Sequence, residues 1–386
     1  MIQPEATPLT HFRVDLRAKI IGADTNVYLA RAGKNGHLFQ QVLATQSIGP
    51  DLPNLNLDLT NGLEGDVNLE AKVKRARALS SWLRAPSTSR KEEPSSNLND
   101  YIEATRRPGH AQIEGIVKNY FQDLKGGDVL VIPNPSYFDE AIIAEVLPLD
   151  RFAKKIPGIK RFEGYEFDGR RFGHFTKVKM SALPRSVIEL AKAPTGFAQI
   201  VNKAVKHRIF ELCYTDYVLD DEFASRIFTT KGDFTPFDGN VLNALVTMVA
   251  TNVERLQNGE ASPHLVGLVQ AAFLDVEDDD LQVKININSP GHIAIFDRSI
   301  VPLVTAVVLG VLVASGFDTS AVAQQLTVEV TNSKIEQALD LCSHEVQRLA
   351  QSMLQFLPEA EFQQTCDLLK KTHETTGATS GVLVEK

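Results

Sequence analysis

Cysteine is scarce in this chain: Cys213, Cys342 and Cys366 are the three among 386 residues. They match no zinc-ligand spacing and are too few and too scattered for a disulfide framework. There is no Walker A loop and no G-x-G-x-x-G behind a strand, which excludes the usual cradles for nucleotide phosphates. His344-Glu345 has no second His to complete a zincin helix, and no nucleophile elbow occurs. The nine histidines pair with neither cysteine nor carboxylate at ligand spacing, so no metal site and no cofactor are expected. Met1-Ile2-Gln3-Pro4-Glu5 lacks the basic-then-apolar order of a secretory leader, and the expected location is cytoplasmic.

Charge is present in ordinary amount but unevenly placed. The chain carries net −8, yet residues 151–210 hold fourteen Lys and Arg against four acids, about +10. Phe152, Phe162, Tyr165, Phe167, Phe172 and Phe175 are interleaved with those cations. Cations neutralise phosphates by releasing counterions, and aromatic faces stack on unpaired bases. The segment therefore reads as a nucleic-acid or nucleotide surface; the alternative is a solvated basic face over ordinary core rings.

At this length two or three domains are expected, of mixed α+β class. Short strands are expected at 12–16 and 26–29, a turn over Arg31-Ala32-Gly33-Lys34-Asn35-Gly36, another strand at 39–48, and a loop at 51–66. A basic amphipathic helix covers 68–84, and the Ser/Pro-rich stretch 86–99 reads as a mobile insertion. Ile113, Ile116, Val117, Tyr120, Phe121 and Leu124 fall at helical spacing and stop at Gly126. Val129-Leu130-Val131-Ile132, closed by Pro133, and residues 141–146 are strands; 186–192 and 196–205 are short helices. The charge reversal at Asp216, Asp220, Asp221 and Glu222 sets a boundary, with residues 1–210 as one domain, 211–236 as a linker and 237–386 as a mainly helical domain.

That second domain opens with a helix at 238–258, then a helix from Pro263, a hairpin at 281–296 and a strand at 326–330. Residues 299–317 are nineteen without a charge. They read as a helix buried on all sides, the alternative being a membrane span. Ile335, Leu339, Cys342, Val346, Leu349, Met353 and Phe356 form a 3.5-residue seam over helix 335–356. Packing inside the chain against 359–373, or self-association into a homo-oligomer, would cover it. One weak catalytic pattern stands out: Asp275 and Asp278 precede Gln282-Val283-Lys284. Metal-dependent nucleases use acids to hold Mg²⁺ and a Lys near the attacking water. The plainer reading is a solvated acidic loop.

In order, Val27-Tyr28-Leu29-Ala30-Arg31-Ala32-Gly33, Ser47-Ile48-Gly49, Gly127-Asp128-Val129-Leu130-Val131-Ile132-Pro133, Lys177-Val178-Lys179 and Leu183-Pro184-Arg185 resemble the N-terminal PUA-like (EVE-like) domain. That domain occurs in Mrr-type restriction endonucleases and related prokaryotic defence proteins. The likeness covers about residues 24–200, with Tyr28 standing where the family usually has Trp. It implies a small mixed or antiparallel pseudo-barrel that reads a modified or unpaired base. Carried over, Tyr28 is the stacking ring, Arg31 a phosphate or base-edge donor, and Lys177, Lys179 and Arg185 follow the backbone. The implied protein is an anti-phage, restriction-type defence component acting through a partner-binding or oligomerising C-terminal domain. The alternatives are a metal-dependent nuclease and a membrane-associated effector working through helix 299–317.

Overall fold

The computed structural model describes residues 10–90, 92–193, 196–219, 222–230, 234–259, 265–274, 282–286, 291–297, 300–314, 326–333, 344–356 and 359–385. Their fold is mixed α+β, with elements numbered below in chain order. The chain divides into two compact units: Met1–Ala23 with Tyr214–Lys386, and Asp24–Cys213. The division corrects the expected domains at both ends. The first 23 residues belong with the C-terminal half, and the expected linker 211–236 carries two strands.

The N-terminal strand β1 (Thr10–Asp15) pairs in parallel with a strand some 300 residues downstream. The short β2 (Lys19–Ile21) follows it, in a second sheet of the same unit. The Asp24–Cys213 unit then begins with β3 (Val27–Ala30), α1 (Phe39–Thr45), β4 (Ser47–Ile48), α2 (Leu69–Arg84) and α3 (His110–Lys118). It continues with β5 (Val129–Ile132), β6 (Glu140–Val146), β7 (Lys154–Pro157) and the fourteen-residue β8 (Glu166–Lys179). It closes with α4 (Arg185–Lys192), β9 (Phe197–Ile200) and α5 (Lys203–Cys213).

Seven strands make one curled sheet in the order β4-β8-β6-β5-β3-β9, with β7 also on β8. The curl follows from β8, whose second half pairs with β6 while its first half takes β7 and β4. Among the described residues the path runs from β4 to β9 without closing. β3 and β5, parallel to one another and buried at every position, read as continuous apolar runs because both their faces are covered.

Two local expectations fail here for identifiable reasons. Residues 39–45 form α1, whose Phe39 and Val42 point into the core, and only Ser47 and Ile48 are extended. Residues 197–200 are β9, which pairs with β3, although their pattern read as a helix. The stretch expected to be a mobile insertion is tied down by α2 instead. Arg75 donates to the Ser96 carbonyl at 3.3 Å, and Arg90 donates to the Leu83 carbonyl at 2.7 Å with its guanidinium over the Trp82 ring.

The other unit continues with β10 (Tyr217–Leu219), β11 (Glu222–Thr229), α6 (Pro236–Gln257), α7 (Leu268–Ala271), β12 (Gln282–Asn286), β13 (Gly291–Asp297) and α8 (Val301–Ala314). It ends with β14 (Leu326–Thr331), α9 (His344–Phe356), α10 (Glu359–Thr376), β15 (Thr379–Ser380) and β16 (Leu383–Glu385). Its sheets run β14-β1-β16 and β12-β13-β11-β10-β2, with β15 on β11. α6 starts at a capping box: Thr235 and Asp238 exchange hydrogen bonds with one another's backbone N–H, and Pro236 sets the first turn.

α8 is buried all round, as its uncharged sequence requires. It packs on α6, α9, β11 and β13. Among the described residues no helix is long and apolar enough to cross a membrane. The heptad seam receives an intrachain cover over its described positions. Val346, Leu349 and Met353 are at most 1% exposed, and α9 packs on α6, α8 and β14. These three positions are therefore closed to self-association. Ile335, Leu339 and Cys342 lie outside the described residues.

Candidate nucleic-acid interface

The two units differ in charge. Asp24–Cys213 carries 27 Lys and Arg against 22 Asp and Glu, net +5, while the rest of the chain carries 13 against 26, net −13. Within the basic unit, the turn after β3 is the meeting point of several cavities. A cavity of about 500 Å³ is lined by Arg31, Lys34, Asp51, Tyr120 and Lys192. A second, of about 460 Å³, shares Arg31 and Lys192 with it and adds Asn134, Pro135 and Tyr137. A third, of about 390 Å³, shares Lys34 and adds Arg84, Lys160 and Arg161. Six cations from four separate segments thus face one connected belt, and Asp51 is the sole carboxylate among its described lining residues.

That carboxylate is already neutralised. Asp51 accepts hydrogen bonds from the Lys34 backbone N–H at 2.7 Å and from Arg84, and its other oxygen lies 3.1 Å from His37 Nε2. Burial raises its pKa, but the His37 hydrogen bond and the Arg84 charge outweigh burial and hold it at about 2. His37 in turn stacks on Phe162, centroids 4.8 Å apart at 14°, and the Arg84 guanidinium stands 5.4 Å from the same ring. Asp51 therefore fixes the turn to α2 without cancelling the field of Lys160, Arg161 and Lys192.

Two glycines set the walls. A Cβ on Gly49 would sit 1.9 Å from the Asp168 carbonyl oxygen, so only glycine lets the segment after β4 press against β8. Gly36, with φ of 65°, abuts Pro135 and brings the turn after β3 against the turn after β5. Tyr120 lies in a π-helical turn, Asn119–Asp123, that continues α3, and its fully buried ring closes the 500 Å³ cavity from below. Burial raises the Tyr120 pKa strongly, so the phenol stays neutral and can serve as a donor.

The residues named from sequence separate into three groups. Arg31 lies in the belt, where its guanidinium donates to the Ala191 and Ala193 carbonyls and so caps the C-terminus of α4. Tyr28 does not reach any of these cavities: it is core, 9% exposed, its ring 5.1 Å from Phe197. The stacking role expected of Tyr28 is therefore corrected, because a base cannot reach its face. Lys177, Lys179 and Arg185 are exposed, the two lysines on one face of β8 and Arg185 paired with Glu189 at 2.9 Å. None of the three lines the belt.

In the other unit Gln282 and Lys284 are exposed on β12, with Lys284 Nζ 4.3 Å over the Phe296 ring. Asp275 and Asp278 lie outside the described residues. Among the described residues no three His, Cys, Asp or Glu side chains gather as a metal site. Sequence reading missed Lys34, Asp51, Arg84 and Tyr137 as a group, since they converge from four segments. The usable signal was the Lys34-Asn35-Gly36 turn together with the basic end of helix 68–84.

Comparison with models of known protein families, with curated proteins and with solved structures finds no significant match.

Proposed function

We propose that the Asp24–Cys213 unit binds nucleic acid along the cationic belt, as the recognition part of a restriction-type, anti-phage defence component. The observation that carries this reading is the convergence of Arg31, Lys34, Arg84, Lys160, Arg161 and Lys192 on connected cavities whose one lining carboxylate is neutralised. In water a solvated basic face needs no cavity; cations around a concavity of nucleotide size suit a phosphate chain with a base drawn inward. Lys34, Lys160, Arg161 and Lys192 take the phosphates. Arg31 braces α4, and the buried Tyr120 closes the cavity floor. Lys177, Lys179 and Arg185 extend the positive track outside it.

The test is titration of the full chain, as wild type and as the Lys160→Gln/Arg161→Gln/Lys192→Gln variant, against labelled single- and double-stranded DNA and RNA. Support is wild-type binding that the triple variant loses by tenfold or more while thermal unfolding is unchanged. Equal binding by both proteins would sink the assignment of the belt.

A further inference from the structure

The turn between β5 and β6 holds two aromatic rings in water beside the belt. Tyr137 is 50% exposed and Phe138 94%, with centroids 5.9 Å apart and planes at 80°. Burying such a ring is favourable, so one kept at 94% exposure on an ordered turn forgoes a gain that core packing would supply. The turn is stiff. Pro133 and Pro135 restrict it, Asn134 Oδ1 accepts from the Ser136 N–H at 3.0 Å, and Asn134 Nδ2 donates to the Glu140 carbonyl at 3.2 Å. The Met180 N–H anchors the far side on the Asp139 carbonyl at 3.1 Å. Rings presented on a rigid turn lose little freedom when something covers them.

What covers them is indicated by their neighbours. Tyr137 lines the 460 Å³ cavity together with Arg31 and Lys192, and no carboxylate is among the residues lining it. We propose that Tyr137 and Phe138 form a stacking platform for the exposed bases of a single-stranded nucleic acid whose phosphates are neutralised at Lys192. This rests on the reading of the belt as a nucleic-acid site. A duplex hides its base faces, whereas every unpaired base offers one, and aromatic–base stacking tolerates any sequence. The exposed Asp139 and Glu140 follow Phe138, so the phosphates run toward Lys192 and away from them.

The experiment measures full-chain binding to fluorescent single-stranded oligonucleotides, one containing 2-aminopurine, at two salt concentrations, for wild type, Tyr137→Ala, Phe138→Ala and Phe138→Trp. Both rings are exposed, so the fold is kept, and thermal unfolding checks it. Each Ala variant is expected to bind about five- to a hundredfold more weakly at both salts, with the salt slope unchanged. Phe138→Trp restores affinity and 2-aminopurine quenching, and duplex binding changes little. Wild-type binding matched by both Ala variants overturns the platform while leaving the belt intact. An altered sedimentation coefficient in the variants with unaltered oligonucleotide binding assigns the rings to a protein contact and also overturns it. A wild type that binds no oligonucleotide removes the reading of the belt as well.

Discussion

Gly36 and Pro135 are in such close contact that a Cβ added to Gly36 would stand 2.8 Å from Pro135 Cδ and Cγ. The pair joins the turn after β3, which carries Arg31 and Lys34, to the turn after β5, which carries Tyr137. Gly36 also holds φ of 65°, where a side chain is strained. Gly36→Ala is therefore expected to lower stability by about 1–3 kcal/mol. Because the two turns must part, it should weaken oligonucleotide binding beyond what the stability loss explains. Urea unfolding and a binding titration on the same preparation check both.

Asp51 gives an acid-pH prediction. Its carboxyl titrates at about 2 against an ordinary 3.8, so the unfolded chain takes up this proton first as pH falls. The contribution to stability is complete above about pH 4 and disappears as pH drops toward 2, on the order of 2 kcal/mol in all. Asp51→Asn removes it at neutral pH and flattens that part of the stability–pH curve. Denaturant midpoints across pH 2–5 for the two proteins test this; parallel curves would contradict it.

Cations that meet phosphate should be separable from cations that hold the fold. Lys34→Gln and Arg161→Gln are expected to reduce the slope of log K against log salt by about one unit each, with unfolding unchanged. Arg84→Gln should instead destabilise the protein, because it leaves Asp51 without the guanidinium that neutralises it. Equal thermal midpoints for Arg84→Gln and wild type would refute that structural role.

The α9 seam predicts a stability phenotype and no assembly phenotype. Leu349 is fully buried within its own unit, so Leu349→Ala should cost about 2–5 kcal/mol. The sedimentation coefficient of the folded protein should not move. Dissociation at unchanged stability would show that the seam joins chains.

Much of the local structure could be read from sequence where a single physical signal dominated. Val129-Leu130-Val131-Ile132 before Pro133 is a strand as its apolar run implies, and the helices expected at 238–258 and within the uncharged run 299–317 form as Pro236–Gln257 and Val301–Ala314. What failed were features set by distant partners. Nothing local in Thr10–Asp15 says that it lies beside Leu326–Thr331, and residues 197–200 are extended because β3 offers an edge. The site was legible only in part for the same reason. Arg31 lies in the turn that drew attention to it, but the belt exists because 34, 84, 160, 161 and 192 converge in three dimensions. Tyr28 was misread because a ring in a β-strand shows its face only if that side of the sheet is open, and here Phe197 covers it.

The most direct test of the central claim is the titration of wild-type full-length protein against labelled single-stranded and duplex DNA and RNA at low and moderate salt. The belt predicts saturable binding that weakens steeply with salt and favours single strands over duplex. Absence of binding at low salt, or binding indifferent to salt, would contradict it.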